Sequence, residues 1–140
     1  MLVKDVMYHD VITINGDSSL AEAAKAMFEN KRGCLLVLES GMLKGIITER
    51  DFVWKVIAKG VDPSKLKTRE IMSSPVITVD PDTDLAKASR LMVEHGIRRL
   101  PVAKDDIIYG MVGPWHIVSH FTDYMDEVTR DLIRHMYVMY

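Results

Sequence analysis

Thr48 and Asp51 are the residues whose types and spacing first suggest chemistry. In Gly45-Ile46-Ile47-Thr48-Glu49-Arg50-Asp51 an apolar strand ends in a threonine and leads into a helix with an acidic first turn. A hydroxyl and a carboxylate three apart meet at the first turn of such a helix. The same Ser/Thr-x-x-acid spacing is also a capping box, which stabilises a helix start and need do nothing more. Elsewhere the chemistry thins out. His116 and His120 are four apart and could share a helix face, but no third ligand accompanies them, and His9, His95 and His135 lack ligand spacing. Structural histidines are expected, and no metal. There is no nucleophile-base-orienter set and no Walker-type glycine loop, so no catalytic residue is assigned and no enzyme is expected.

These few groups must be positioned by a chain of 140 residues, 48% of them hydrophobic, which is enough for a real core. Its 18 basic and 20 acidic residues leave a net charge of -2. That balance gives no overall draw toward nucleic acid or an anionic membrane. The apolar runs are far shorter than the roughly 18 residues of a spanning helix, and no signal peptide is visible. Cys34, the only cysteine, excludes an intramolecular disulfide and a Cys-based zinc cluster; among apolar neighbours it reads as a small buried hydrophobe. A reducing, cytoplasmic setting is expected.

The chain repeats itself. Val11-Ile12-Thr13 recurs as Val76-Ile77-Thr78, Leu20-Ala21 as Leu85-Ala86, Met27 as Met92 and Gly45 as Gly110, each pair 65 apart. Positions 4–53 and 69–118 align without a gap at 14 identities in 50. Chance would give about 3, so a duplicated unit is indicated. Repeat boundaries are expected at 1–67 and 68–122, with a tail at 123–140.

Within the first repeat, Val11 to Ile14 reads as a strand ended by the Asn15-Gly16-Asp17 turn. A helix capped by Ser18 or Ser19 follows, with Leu20, Ala23, Ala24, Met27 and Phe28 on one apolar stripe and Lys31-Arg32-Gly33 at its end. Cys34 to Leu38 and Leu43 to Thr48 form a hairpin about Ser40-Gly41. A second helix carries Phe52, Val53, Val56 and Ile57 and stops at Gly60. The order is β-α-β-β-α. The second repeat follows it with Val76 to Val79, a helix from about Asp82 to His95, Leu100 to Ala103, Ile107 to Val112 and a helix from Pro114. Neither half buries both faces of its sheet, so the expected fold class is α+β, two tandem units packed sheet to sheet about a pseudo-twofold axis. The tail adds an amphipathic helix with Phe121, Met125, Val128, Leu132, Met136 and Met139 at helical spacing. That face either packs within the chain or forms an oligomer interface.

The repeat supplies an internal control for Thr48 and Asp51. At the equivalent positions stands Gly113-Pro114-Trp115-His116, which starts a helix with proline at its first position. The expectation is therefore that the helix start tolerates losing both groups.

With these elements in place, the chain resembles a tandem pair of CBS domains, a Bateman module. The resemblance covers positions 1 to about 122 and rests on Gly45 to Asp51 and on His95-Gly96-Ile97-Arg98-Arg99-Leu100-Pro101-Val102. It implies a regulatory or sensor module that binds an adenosine compound in a cleft between the two units, AMP first, or ADP or ATP, with S-adenosylmethionine as an alternative. By resemblance Asp51 would accept from the ribose hydroxyls, a carboxylate offering only acceptors, with Thr48 beside it. Adenine would lie near the Val11 and Ile12 backbone. Arg99, with Arg98 and Arg50 as further candidates, would grip phosphate. The opposite cleft, with His116 for the aspartate and Gly33-Cys34 for the arginine pair, would be unequipped, implying one nucleotide per chain. A homodimer of CBS pairs and a separate regulated protein are the implied partners. The competing reading is a structural module whose clefts are vestigial.

Overall fold

The computed structural model describes residues 1–120 and 127–138. They fall into two compact units, Val11–Val76 and a composite of Met1–Asp10 with the chain from Ile77 onward.

In the first unit β1 (Thr13–Asn15) runs parallel to β2 (Cys34–Glu39), which pairs antiparallel with β3 (Met42–Thr48). Ser40 and Gly41 turn the hairpin with φ of 53° and 77°. Both central residues at positive φ make the mirror-image turn that matches strand twist. Helix α1 (Leu20–Asn30) is closed reciprocally at its start: the Ser19 hydroxyl accepts from the Glu22 amide at 3.1 Å, and the Glu22 carboxylate accepts from the Ser19 amide at 2.9 Å. Leu20, Ala23 and Met27 face Leu35, Val37, Ile47 and Val56 in one core. The expected stripe is narrower than its spacing suggested. Phe28 is 83% exposed and Ala24 is exposed, because only the Leu20, Ala23 and Met27 line turns toward the sheet. After β3, α2 (Glu49–Asp51) widens into a π-helical stretch, Phe52–Ile57, with i→i+5 bonds such as Ala58 N–H to the Val53 carbonyl at 2.9 Å.

The composite unit carries α4 (Leu85–His95), the hairpin β4 (Leu100–Lys104) and β5 (Ile107–Val112), and α5 (Pro114–His120). Helix α4 begins three residues later than its sequence pattern suggested, where the Asp84 carboxylate caps the Ala86 amide at 2.8 Å. The strand expected over Val76 to Val79 shrinks to a single parallel bridge of Val79 with Val102. The repeat explains why. In the first unit the Leu36 amide donates to the Ile12 carbonyl at 3.0 Å; its counterpart is Pro101, which has no amide hydrogen to give.

Each core is completed by a segment from before the other repeat. Val3, fully buried, packs with Val79, Leu85, Ala88, Met92, Leu100, Val102 and Val112. The Val3 amide donates to the Thr83 carbonyl, and Tyr8 and Met111 exchange both backbone bonds. Sixty-five residues on, the arrangement recurs in the first unit. Helix α3 (Thr68–Ile71) sets Thr68 against the Ser18 carbonyl, and Ser73 and Ile46 exchange both bonds. This crossing explains the repeated glycine: a Cβ at Gly45 would overlap the Met72 side chain, and one at Gly110 the Tyr8 carbonyl oxygen.

Helix α6 (Glu127–Val138) bears out the expected C-terminal helix. Val128, Leu132 and Met136 lie exposed along it, while Phe121, Met125 and Met139 lie outside the described residues. Among the described residues no helix is long and apolar enough to cross a membrane.

Candidate functional site

Strand β3 delivers Thr48 in extended conformation, and the turn into α2 brings the Asp51 carboxylate back over it. Asp51 Oδ2 accepts from the Thr48 amide at 2.9 Å and, more weakly, from the Thr48 hydroxyl at 3.4 Å. The other oxygen, Oδ1, lies 2.8 Å from Lys55 Nζ, one turn along. Lys55 Nζ also donates to the Ile71 carbonyl at 3.0 Å. Asp51 is 7% exposed, so a buried charge is neutralised by a cation and satisfied by hydrogen bonds. The carboxylate that closes the helix start is thus also the one paired with Lys55. Nothing in the Thr-x-x-Asp spacing pointed to Lys55; an Asp-x-x-x-Lys helical pair is the signal that could have found it.

The second repeat corrects the internal control. His116 Nδ1 accepts from the Gly113 amide at 2.9 Å, the same bond that Asp51 makes to Thr48. The helix start has therefore replaced its acceptor rather than dispensed with it. Threonine is excluded at Gly113 for a separate reason: a Cβ there would come within 2.6 Å of the Arg98 carbonyl oxygen. Tyr8 stacks on His116 with ring centroids 4.6 Å apart. Burial pushes the His116 imidazole below its usual range, and the nearby Arg99 charge works in the same direction.

That depression has a pH signature. The unfolded imidazole takes up a proton near pH 6.5 while the folded one stays neutral, so stability is full above about 6.5 and falls as pH drops below it. Urea midpoints at about pH 7.5 and about pH 5 should show this fall. His116→Asn, which keeps an acceptor for Gly113 but does not titrate, should reduce it.

A family model described as the CBS domain matches residues 3–57 and again 69–123. The chain belongs to the CBS domain family. A CBS domain-containing protein of Bacillus subtilis, YhcV, is 36% identical over 110 residues, covering 79% of this chain and 78% of that protein. Among solved structures, the hexameric CBS-CP12 protein of bloom-forming cyanobacteria aligns with a TM-score of 0.79 at 33% identity, over 84% of this chain and 66% of that one. A putative signal-transduction protein with CBS domains from Burkholderia ambifaria aligns at 0.78 and 28% identity, over 84% and 87%. CBS pairs are in general regulatory or sensor modules for adenosine compounds, and CBS relatives are mostly not enzymes.

The remaining residues implied by the CBS resemblance divide between the units. Val11 and Ile12, both half-buried, lead into β1, and the Ile12 carbonyl is engaged by β2. Arg50 is exposed, its guanidinium 4.9 Å from the ring centroid of Trp54 in a cation–π contact. Arg98 and Arg99 belong to the composite unit, just before β4, Arg98 exposed and Arg99 half-buried. Among the described residues no group of three or more His, Cys, Asp or Glu could hold a metal ion.

Proposed function

We propose that this CBS pair is a sensor for an adenine nucleotide, AMP first or ADP or ATP, and passes its binding state to a regulated protein. Asp51 and Thr48 would hold the ribose, the backbone about Val11 and Ile12 would meet adenine, and Arg99, with Arg98, would meet phosphate. The observation that carries the reading is the buried Asp51 carboxylate at a strand-to-helix junction, an acceptor-only group where a vicinal diol needs acceptors. Arg50, occupied by Trp54, is the weakest phosphate candidate. A ligand can act as a switch only by favouring one of two arrangements, so nucleotide and partner binding should be thermodynamically coupled.

Calorimetric titration with AMP, ADP, ATP and S-adenosylmethionine tests it. Asp51→Asn retains an acceptor for the Thr48 amide but gives up the charge. Each hydrogen bond to a charged group contributes about 1.5–3 kcal/mol, so the variant should bind about 10- to 100-fold more weakly with its fold intact. No saturable heat from any of the four compounds would reject the sensor.

A second reading has its own support. Asp51 and His116 perform the same capping bond, and capping alone accounts for a structural module with vestigial sites. Under that reading the module would act through self-association, as a homodimer, and Asp51→Asn would leave its function unchanged. The homodimer is expected under the sensor reading as well.

A further inference from the structure

Resting on the ribose reading of Asp51, a count of lone pairs leads to a role for Lys55. An ionised carboxylate offers about four acceptor sites. Three are approached by groups of the chain itself, the Thr48 amide, the Thr48 hydroxyl and Lys55 Nζ. A ribose diol that donates both hydroxyls needs two. The Thr48 amide bond closes the helix start and is the costly one to break. The hydroxyl contact, at 3.4 Å, is weak and blocks little. Lys55 is different: its side chain is 41% exposed against 10% for that of Asp51, so it is the less confined member of the pair. It also has a second acceptor in the Ile71 carbonyl, which can keep it anchored when Asp51 is released.

We propose that Lys55 is an internal competitor for the ribose-binding carboxylate, holding Asp51 Oδ1 through its ion pair and yielding it when the diol arrives. Its removal should tighten binding of the bare nucleoside. This separates it from a phosphate-binding lysine, whose removal would weaken nucleotides and leave adenosine unaffected.

Adenosine is the probe, because it carries the diol without a phosphate to attract Lys55. Calorimetric affinities are compared for the unmodified chain, Lys55→Met, which keeps an apolar stem, and Asp51→Asn. One charged hydrogen bond relinquished corresponds to about tenfold, so Lys55→Met should bind adenosine about tenfold more tightly, or bind where the unmodified chain does not. Equal or weaker binding by Lys55→Met, while Asp51→Asn weakens binding, overturns the role of Lys55 and leaves the ribose reading standing. Adenosine binding by none of the three overturns both, as does binding that Asp51→Asn leaves undiminished. If Lys55→Met does not fold, the unmodified sequence with isotopically labelled methyl groups on its lysines gives the answer. Saturating adenosine should shift the Lys55 methyl resonance, and an unmoved resonance overturns the proposal.

Discussion

A chain lacking residues 1–8 should lose the composite unit while keeping the first. Those residues bring Val3 into the core, pack Val6 and Met7 against it, and pair Tyr8 with Met111. Emptying the Val3 site alone costs about 2 kcal/mol, for two methyl groups at about 0.8 kcal/mol each plus a residual cavity. Adding the partly buried Val6 and Met7 and the severed backbone pair brings the loss to about 5 kcal/mol or more, comparable to the whole stability of a small domain. Hydrogen exchange is the suitable measurement. Amides of β4 and β5 should lose protection in the truncated chain, whereas those of β2 and β3, whose core is completed by α3, should keep theirs. Equal loss in both sheets would mean that the units unfold as one.

The second large effect should separate two glycines that the repeat makes equivalent. Gly110→Ala drives a methyl group into the Tyr8 carbonyl oxygen, which is backbone held by two hydrogen bonds to Met111 and cannot yield locally. A loss of about 3 kcal/mol in urea unfolding is expected, at the upper end of ordinary overpacking. Gly45→Ala meets instead the side chain of Met72, three rotatable bonds ending in a polarisable sulfur. About 1 kcal/mol is expected there. Equal losses would mean that the arm in the composite unit adapts as readily as a methionine.

Much of each unit was legible from local pattern. The first hairpin announced itself through its turn residues, Ser40-Gly41, and α1 through a capping serine ahead of its apolar stripe. The reciprocal arms were not legible. Met1 to Tyr8 and Leu66 to Ser73 occupy equivalent places in the repeat, and that equivalence cannot say which of two similar cores each one fills. The strand that failed at Val76 was readable in principle, since Pro101 stands where Leu36 donates, but that required knowing the register first. At the site, Thr48 and Asp51 were found by spacing. The acceptor role of His116 was missed, because imidazole is not among the side chains that usually cap helices.

The arms also bear on the order in which the chain can assemble. Val11–Val76 is one uninterrupted stretch containing everything its core needs, including α3. It can close as soon as that stretch has left the ribosome. Met1–Asp10 emerges before either repeat, yet its apolar residues have no core to enter until Val112 has followed. Contacts this far apart in sequence form slowly. A segment made before either repeat is therefore among the last to be buried, and through that interval Val3, Val6 and Met7 are exposed to whatever apolar surface is nearest.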